Sequence, residues 1–304
     1  MDELDLAIIG LLREEPRAAN KKMAQALRVT EATVATRIKS LQARNVIRVI
    51  GRRRARPDGE RSIMAMVELY LEDVTKLHDV VESLEQFNNV LTVYQTSRRP
   101  DLVAYVRADG LIALNATIKS LAARIPHLLQ LNTLPLLEVH RFHRWIAHLQ
   151  LPPPPKPPPQ NVGEALIALI EENGRQSVRA LARQVGLSET AVRYRLPKLL
   201  KETGMEIVLI CDSKAMGYHV WADLRLLVAP GALQSAIDHL SSSDDIITLA
   251  HVAGSHNLQT MVIAKSVEQL DAFVTERIRA IPGLVDFAIL RVPNVLKYSY
   301  NYLI

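Results

Sequence analysis

Leu187-Ser188-Glu189-Thr190-Ala191-Val192-Arg193-Tyr194-Arg195-Leu196 repeats, at a distance of 158 residues, the pattern of Val29-Thr30-Glu31-Ala32-Thr33-Val34-Ala35-Thr36-Arg37-Ile38. Each stretch opens with a hydroxyl residue followed by Glu, the sequence of an N-cap with an acid in the dipole-favoured first turn. Val34, Ile38 and Leu41 then share one helical face and predict a helix over 31–43. Upstream, short helices are expected over 21–27 and 178–185, each leading into a tight turn, at Arg28 in one copy and Gly186 in the other. A first helix precedes them, marked by Leu4, Ile8, Leu11 and Leu12 and, in the second copy, by Ala165, Leu166, Leu169 and Ile170. Helix, tight turn and capped helix form the helix-turn-helix arrangement, in which the last helix enters the DNA major groove.

The repetition extends beyond these helices. Ile125-Pro126-His127-Leu128 matches Ile281-Pro282-Gly283-Leu284, and Asp101-Leu102 matches Asn257-Leu258, both at 156 residues. In the first copy the pattern predicts strands over 63–71, 90–95, 102–107 and 128–137, with helices over 75–84 and 111–124. In the second it predicts strands over 220–228, 246–251, 258–264 and 284–291, with helices over 232–240 and 267–280. The order βαββαβ specifies an antiparallel sheet with two helices on one face, the ferredoxin-like pattern. The other face needs a cover, and a tandem chain carries a second sheet to supply it. The chain therefore reads as α+β: two winged helix-turn-helix domains, 1–61 and a second, degenerate one at 161–218, and two βαββαβ domains, 62–150 and 219–304. Between the copies, 151–160 includes Pro152-Pro153-Pro154-Pro155-Lys156-Pro157-Pro158-Pro159, seven of the 16 prolines. With few backbone donors and fixed φ, this run reads as a polyproline II spacer.

At 304 residues and 48% hydrophobic, the chain can bury sizeable cores, which excludes global disorder. The single cysteine, Cys211, excludes an internal disulfide framework and a multi-cysteine zinc site, and its apolar lead-in suggests a buried thiol. The uncharged stretch between Arg124 and Glu138 is too short and too polar to span a bilayer. The acidic start, Met1-Asp2-Glu3-Leu4-Asp5, lacks the basic region of a signal peptide, so a cytoplasmic protein with no membrane partner is expected. The net charge is +5, and its distribution matters more than its size. Through Gln150 there are 22 basic and 17 acidic residues, and from Leu151 onward 15 of each.

Most of the excess lies near the first helix-turn-helix. After its third helix comes a short strand, Val46-Ile47-Arg48-Val49-Ile50. It leads into Gly51-Arg52-Arg53-Arg54-Ala55-Arg56-Pro57-Asp58-Gly59-Glu60-Arg61, which reads as a wing whose arginines suit phosphate contacts. A solvated basic loop is the alternative reading. The candidate DNA-binding set is Thr30, Glu31, Ala32, Thr33, Ala35, Thr36, Arg37, Lys39 and Arg44 around the third helix, with Arg52, Arg53, Arg54 and Arg56 on the wing. The second copy has Pro197 inside its corresponding helix and no arginine wing. The first copy is therefore expected to be the principal reading head and the second mainly structural, although Arg193, Tyr194 and Arg195 keep a DNA role open there.

A winged helix-turn-helix followed by a βαββαβ domain resembles the Lrp/AsnC (feast/famine) family of transcription regulators, here in tandem-duplicated form. The residues that carry the resemblance are the runs at 187–196 and 29–38 and the segments Ala253-Gly254-Ser255-His256-Asn257-Leu258, Ile281-Pro282-Gly283-Leu284 and Asp212-Ser213-Lys214-Ala215-Met216-Gly217-Tyr218. The resemblance implies a regulator of double-stranded DNA that pairs and oligomerises through its βαββαβ (RAM-type) domains and senses an amino acid or similar small molecule. It places Ser97, Arg98, Arg99 and Asp101, and Gly254, Ser255, His256 and Asn257, near the effector. Arg98 departs from the pattern by standing where Gly254 stands in the second copy. Arg98 and Arg99 suit a carboxylate ligand, a solvated loop or a blocked pocket. At least a homodimer is expected.

Catalysis is the main rival. Siroheme decarboxylases share this two-part architecture, and His140-Arg141-Phe142-His143-Arg144-Trp145 with His148 forms the densest histidine cluster. Packing and solvated groups account for that cluster more simply than a metal or tetrapyrrole site. No nucleophile elbow, phosphate loop, HExxH or CxxC motif is present. A non-enzymatic protein without a cofactor is therefore expected, with a siroheme-decarboxylase-like enzyme as the alternative.

Overall fold

The computed structural model describes residues 1–53, 62–142, 145–151 and 158–299. Arg54, Arg56, His143, Arg144 and most of the proline run lie outside the described residues. Compact units form by domain type rather than by copy: 1–56 joins 144–216, and 57–143 joins 217–299.

The first unit holds both helix-turn-helix domains. In copy one, α1 (Glu3–Glu14) starts at a capping box in which Asp2 accepts from the Asp5 backbone and Asp5 accepts in return. α2 (Asn20–Leu27) stops at Arg28, whose left-handed φ of 55° makes the tight turn. α3 (Glu31–Ala43) is capped by the Thr30 hydroxyl, which accepts from the Thr33 N–H. In copy two, α6 (Val162–Glu172) is capped by Asn161, and α7 (Val178–Val185) stops at Gly186 with φ 68°. α8 (Glu189–Glu202) is capped by Ser188. Pro197 lies within α8 without ending it, so the proline expected to weaken this helix costs one backbone bond and leaves 14 residues helical. Ile8, Leu12, Val34 and Leu41 fill one three-helix core, and Leu166, Ile170, Leu181 and Val192 the other. Each such side chain contributes about 1.5–3 kcal/mol on burial.

Strands join the two three-helix cores. β1 (Ile47–Arg53) pairs antiparallel with β7 (Met205–Asp212), from Ile47 opposite Cys211 to Arg53 opposite Met205. β6 (Ile146–Ala147) adds to β7 in parallel. The wing strand of each copy is thus completed by the other copy. Gly51 sits where the copies cross: a Cβ there would lie 2.6 Å from Met205 Sδ and 2.7 Å from Ile170 Cγ2. Arg175 ties the copies further by donating to the carbonyls of Pro16 (2.8 Å) and Ala18 (2.9 Å).

The second unit holds both βαββαβ domains. Copy one contributes β2 (Ser62–Leu71), β3 (Val90–Gln95), β4 (Leu102–Asp109) and β5 (Leu128–Phe142), with α4 (Leu77–Glu85) and α5 (Leu111–Arg124). Copy two contributes β8 (Val220–Val228), β9 (Ile246–Val252), β10 (Leu258–Ala264), β11 (Leu284–Arg291) and β12 (Asn294–Tyr298), with α9 (Leu233–Ser241) and α10 (Val267–Phe273). The expected single helix over 267–280 passes into a π-helical turn at Val274–Ile278. Among the described residues the strand order is β11-β8-β10-β9-β5-β2-β4-β3-β12. Each copy keeps the ferredoxin-like order, and two joins cross between copies. The far half of β5 pairs with β9, from Leu136 opposite Val252 to Phe142 opposite Thr248. β12 pairs with β3, from Asn294 opposite Gln95 to Tyr298 opposite Thr92. Alternate residues such as Val67, Leu69, Leu224 and Leu226 pack under the helices, which leaves Glu68, Asp223 and Arg225 on the opposite face.

Candidate functional site

Cap and periodicity together fix what α3 and α8 show to solvent. On α3, Val34, Ile38 and Leu41 face inward, so Glu31, Ala32, Ala35, Thr36 and Lys39 are exposed, with Thr30 and Arg44 exposed at the two ends. The Thr33 hydroxyl lies 2.8 Å from the Thr30 hydroxyl and is spent on the cap. Arg37 is committed within the domain: its guanidinium lies 2.6 Å from Asp2 and 3.3 Å from Asp5. The Asp5 backbone N–H, followed by the Arg37 side chain, holds the Asp2 carboxyl below its ordinary value.

Of the wing arginines, Arg52 is placed differently from the exposed loop expected of it. It lies inside β1, 2% exposed, with Glu206 of β7 at 3.8 Å. The reason is that β1 runs on past Ile50 because β7 supplies it with a partner. Arg53 is the last residue of that strand, and Arg54 and Arg56 fall outside the described residues. On α8, by contrast, Arg193, Tyr194, Arg195, Lys198 and Lys201 are exposed, Tyr194 to 80%.

The residues singled out near an effector form two equivalent turns in the sheet unit, each docked on the fourth βαββαβ strand of the other copy, β11 or β5. The Ser97 N–H donates to the Arg291 carbonyl (2.8 Å), and the Ala253 N–H donates to the Pro135 carbonyl (3.0 Å). Asp101 and Asn257 have structural partners: each side chain accepts from the backbone of its own domain's first strand, at Leu71 (2.8 Å) and Val228 (2.9 Å). Arg98 donates to the Ile289 carbonyl at 2.8 Å, while Arg99 is exposed. Gly254 lies against Leu134, which a Cβ would meet at 2.3 Å. Ser255 contacts His256 Nδ1 at 3.1 Å, and burial, with Arg225 nearby, pushes the His256 pKa down.

Between these turns lies a polar cluster that the sequence reading passed over. Arg225 pairs with Glu68 across the copies and lies 3.3 Å from Asp223. Tyr94 of copy one donates to Asp223 at 3.0 Å, and Gln259 donates to its other oxygen at 2.9 Å. Burial alone would lower the Arg225 pKa, but Asp223 and Glu68 outweigh it and raise it. The available signal was charge within otherwise apolar strands: Glu68 in Met66-Val67-Glu68-Leu69, and Asp223 and Arg225 two positions apart in Trp221-Ala222-Asp223-Leu224-Arg225.

The histidine cluster divides. His140 Nδ1 lies 3.6 Å from Glu138 in the sheet unit. In the helix-turn-helix unit the Arg13 guanidinium stacks on Trp145 at 4.8 Å, and burial, then the Lys214 charge, pushes the His148 pKa down to about 4. Cys211 is buried, and burial pushes its pKa up to about 12. Among the described residues, no helix is long and apolar enough to cross a membrane.

Two helix-turn-helix domains sharing one strand pair, and two ferredoxin-like domains sharing one sheet, define a duplicated DNA-binding-type protein with an internal pairing of its sensor-type domains. Comparison with known proteins identifies the parts. The AsnC-type helix-turn-helix domain matches residues 1–42 and again 163–200, so both copies are recognised, and the Lrp/AsnC ligand binding domain matches 224–302. The chain belongs to the Lrp/AsnC family. A helix-turn-helix transcriptional regulator of Pyrococcus horikoshii is 26% identical over 141 residues, covering 46% of this chain and 89% of the relative. The regulator LysM of Sulfurisphaera tokodaii is 28% identical over 118 residues, covering 39% of this chain and 82% of the relative. Each relative thus spans about one copy of the duplication. Over the whole chain, the siroheme decarboxylase NirDL has the same fold, with a TM-score of 0.66 and 14% identity over 98% of this chain and 93% of that one.

Proposed function

We propose that the chain is a sequence-specific regulator of transcription that binds double-stranded DNA, and that an amino acid or similar small molecule modulates this binding. The observation that carries the reading is the pair of capped helices, α3 and α8, held in one unit by the β1–β7 pairing with their outer faces exposed. The Lrp/AsnC ligand binding match and the cross-copy turns support the effector half of the reading. Within it, Thr30, Glu31, Ala32, Ala35, Thr36, Lys39 and Arg44 face DNA from copy one, while Arg37 ties α3 to the start of α1 and Arg52 lies against β7 of the other copy. No resident cofactor and no catalytic step belong to this reading, and homo-oligomers would set further pairs of heads along the duplex.

The whole-chain likeness to siroheme decarboxylase favours a second reading, an enzyme acting on an iron tetrapyrrole. Titration of the full chain with duplex DNA between about 50 and 200 mM salt separates the two. A regulator loses affinity along a straight log–log line, and Lys198→Ala with Lys201→Ala flattens the slope by roughly 1.8. A panel of free amino acids then shifts the affinity. An absence of salt-dependent duplex binding, together with turnover of an iron tetrapyrrole, would establish the enzyme instead.

A further inference from the structure

The two reading helices differ in what they expose, and the difference has a chemical meaning if the unit binds DNA as proposed above. At a distance of 158 residues, Ala32 corresponds to Thr190, Ala35 to Arg193, Thr36 to Tyr194 and Arg37 to Arg195. The outer face of α3 is therefore built largely of methyl groups, from Ala32, Ala35 and Thr36, with Lys39 beyond them. Its one mid-helix arginine, Arg37, is held by Asp2 and Asp5.

On α8 the positions of Ala35 and Thr36 carry the long polar side chains Arg193 and Tyr194. The residue that caps α6, as Asp2 caps α1, is the neutral Asn161. Its partner Glu164 is satisfied locally, accepting from the Gln160 N–H at 2.8 Å and from Asn161 Nδ2 at 2.9 Å. Nothing in the α6 cap takes up Arg195 as the α1 cap takes up Arg37, and Arg193 and Tyr194 stand outward beside it.

A guanidinium fork suits the paired acceptors of guanine in the major groove, whereas small methyl-bearing side chains suit the thymine methyl. A symmetric dimer presents one face twice and so reads a palindrome. A fused chain is released from that constraint. We infer that this protein reads a non-palindromic duplex site: α8 takes a guanine-containing half-site through Arg193, and α3 takes an A·T-rich half-site through Ala32, Ala35 and Thr36.

Selection of bound sequences from a random duplex library, with the full chain, tests this. The wild type should return two unlike half-sites. Arg193→Ala should erase the guanine column of one half-site, leave the A·T half-site intact, and weaken binding to the selected duplex about 10- to 100-fold. Ala35→Arg, which places the copy-two residue on the exposed face of α3, should add a guanine preference to the other half-site and make the site more nearly palindromic. A palindromic wild-type site, or a guanine column that survives Arg193→Ala, overturns the inference while leaving DNA binding in place. Failure to retain any duplex overturns the DNA-binding reading and this inference together.

Discussion

The two copies meet twice, and the two seams are built on different physics. In the helix-turn-helix unit the seam is backbone pairing of β1 with β7, mostly through apolar residues, closed by Gly51 and by Arg175 reaching the carbonyls of copy one, with the buried Arg52 3.8 Å from Glu206 as its charged exception. In the sheet unit it includes buried charge: Glu68 faces Arg225, two positions that are equivalent between the copies and carry opposite signs. Identical copies would set like charges against each other there, which is costly away from water. Duplication within one chain lets equivalent positions diverge into complementary ones. Each seam is specific in its own way, the first through close packing at Gly51 and the second through the charge match of Glu68 with Arg225.

The sheet seam should be the more fragile to a single change. Arg225→Met strands the carboxylates of Glu68 and Asp223 in the interior and should cost about 3–5 kcal/mol, read as a lower urea midpoint; an unchanged midpoint would remove the buried pair from the account. In the helix-turn-helix unit the largest expected effect is on acid stability. His148 is held neutral, its pKa falling from 6.5 to about 4 on folding. Between those values the unfolded chain takes up a proton that the folded chain refuses, so stability is complete above about pH 6.5 and declines as the pH falls toward 4. The decline attributable to His148 is at most about 3 kcal/mol. His148→Gln should flatten the stability profile over that range, and a profile parallel to wild type would place the pH dependence elsewhere.

Gly51→Val drives a side chain into Met205 and Ile170, and an overpacking cost of about 1–3 kcal/mol is expected. A thermal transition that does not move would show that Gly51 has room for a side chain beside Met205 and Ile170. The smallest effect concerns the outer face. Asp2→Asn keeps a competent N-cap while removing one of the two carboxylates that hold Arg37. A severalfold gain in duplex affinity is expected, and none would mean that Arg37 is not restrained by this pair.

Local chemistry made most of the elements legible in the sequence. The caps at Thr30 and Ser188, the turns at Arg28 and Gly186, and the core stripes of α3 and α8 lie where spacing and residue type put them. The strands within each copy followed for the same reason. What stayed hidden is what one copy does for the other. β12 and the far half of β5 are strands because a partner more than a hundred residues away completes their hydrogen bonds, and no local period announces that. The burial of Arg52 has the same origin: read alone, it belongs to a basic loop, and only β7 turns it inward. The expectation that copy one is the principal head draws on its excess of basic residues, on its arginine wing and on Pro197 in copy two, and a charge count registers Arg37 and Arg52 but not the carboxylates beside them.

On the reading proposed above, one chain carries two unlike reading heads on a single paired unit. Footprinting of the full chain on its selected duplex tests this most directly. Two protected major-groove patches per chain, about one helical turn apart, are expected, with one of them lost in the Arg193→Ala variant. A single patch per chain, or two patches that respond alike to that substitution, would contradict it.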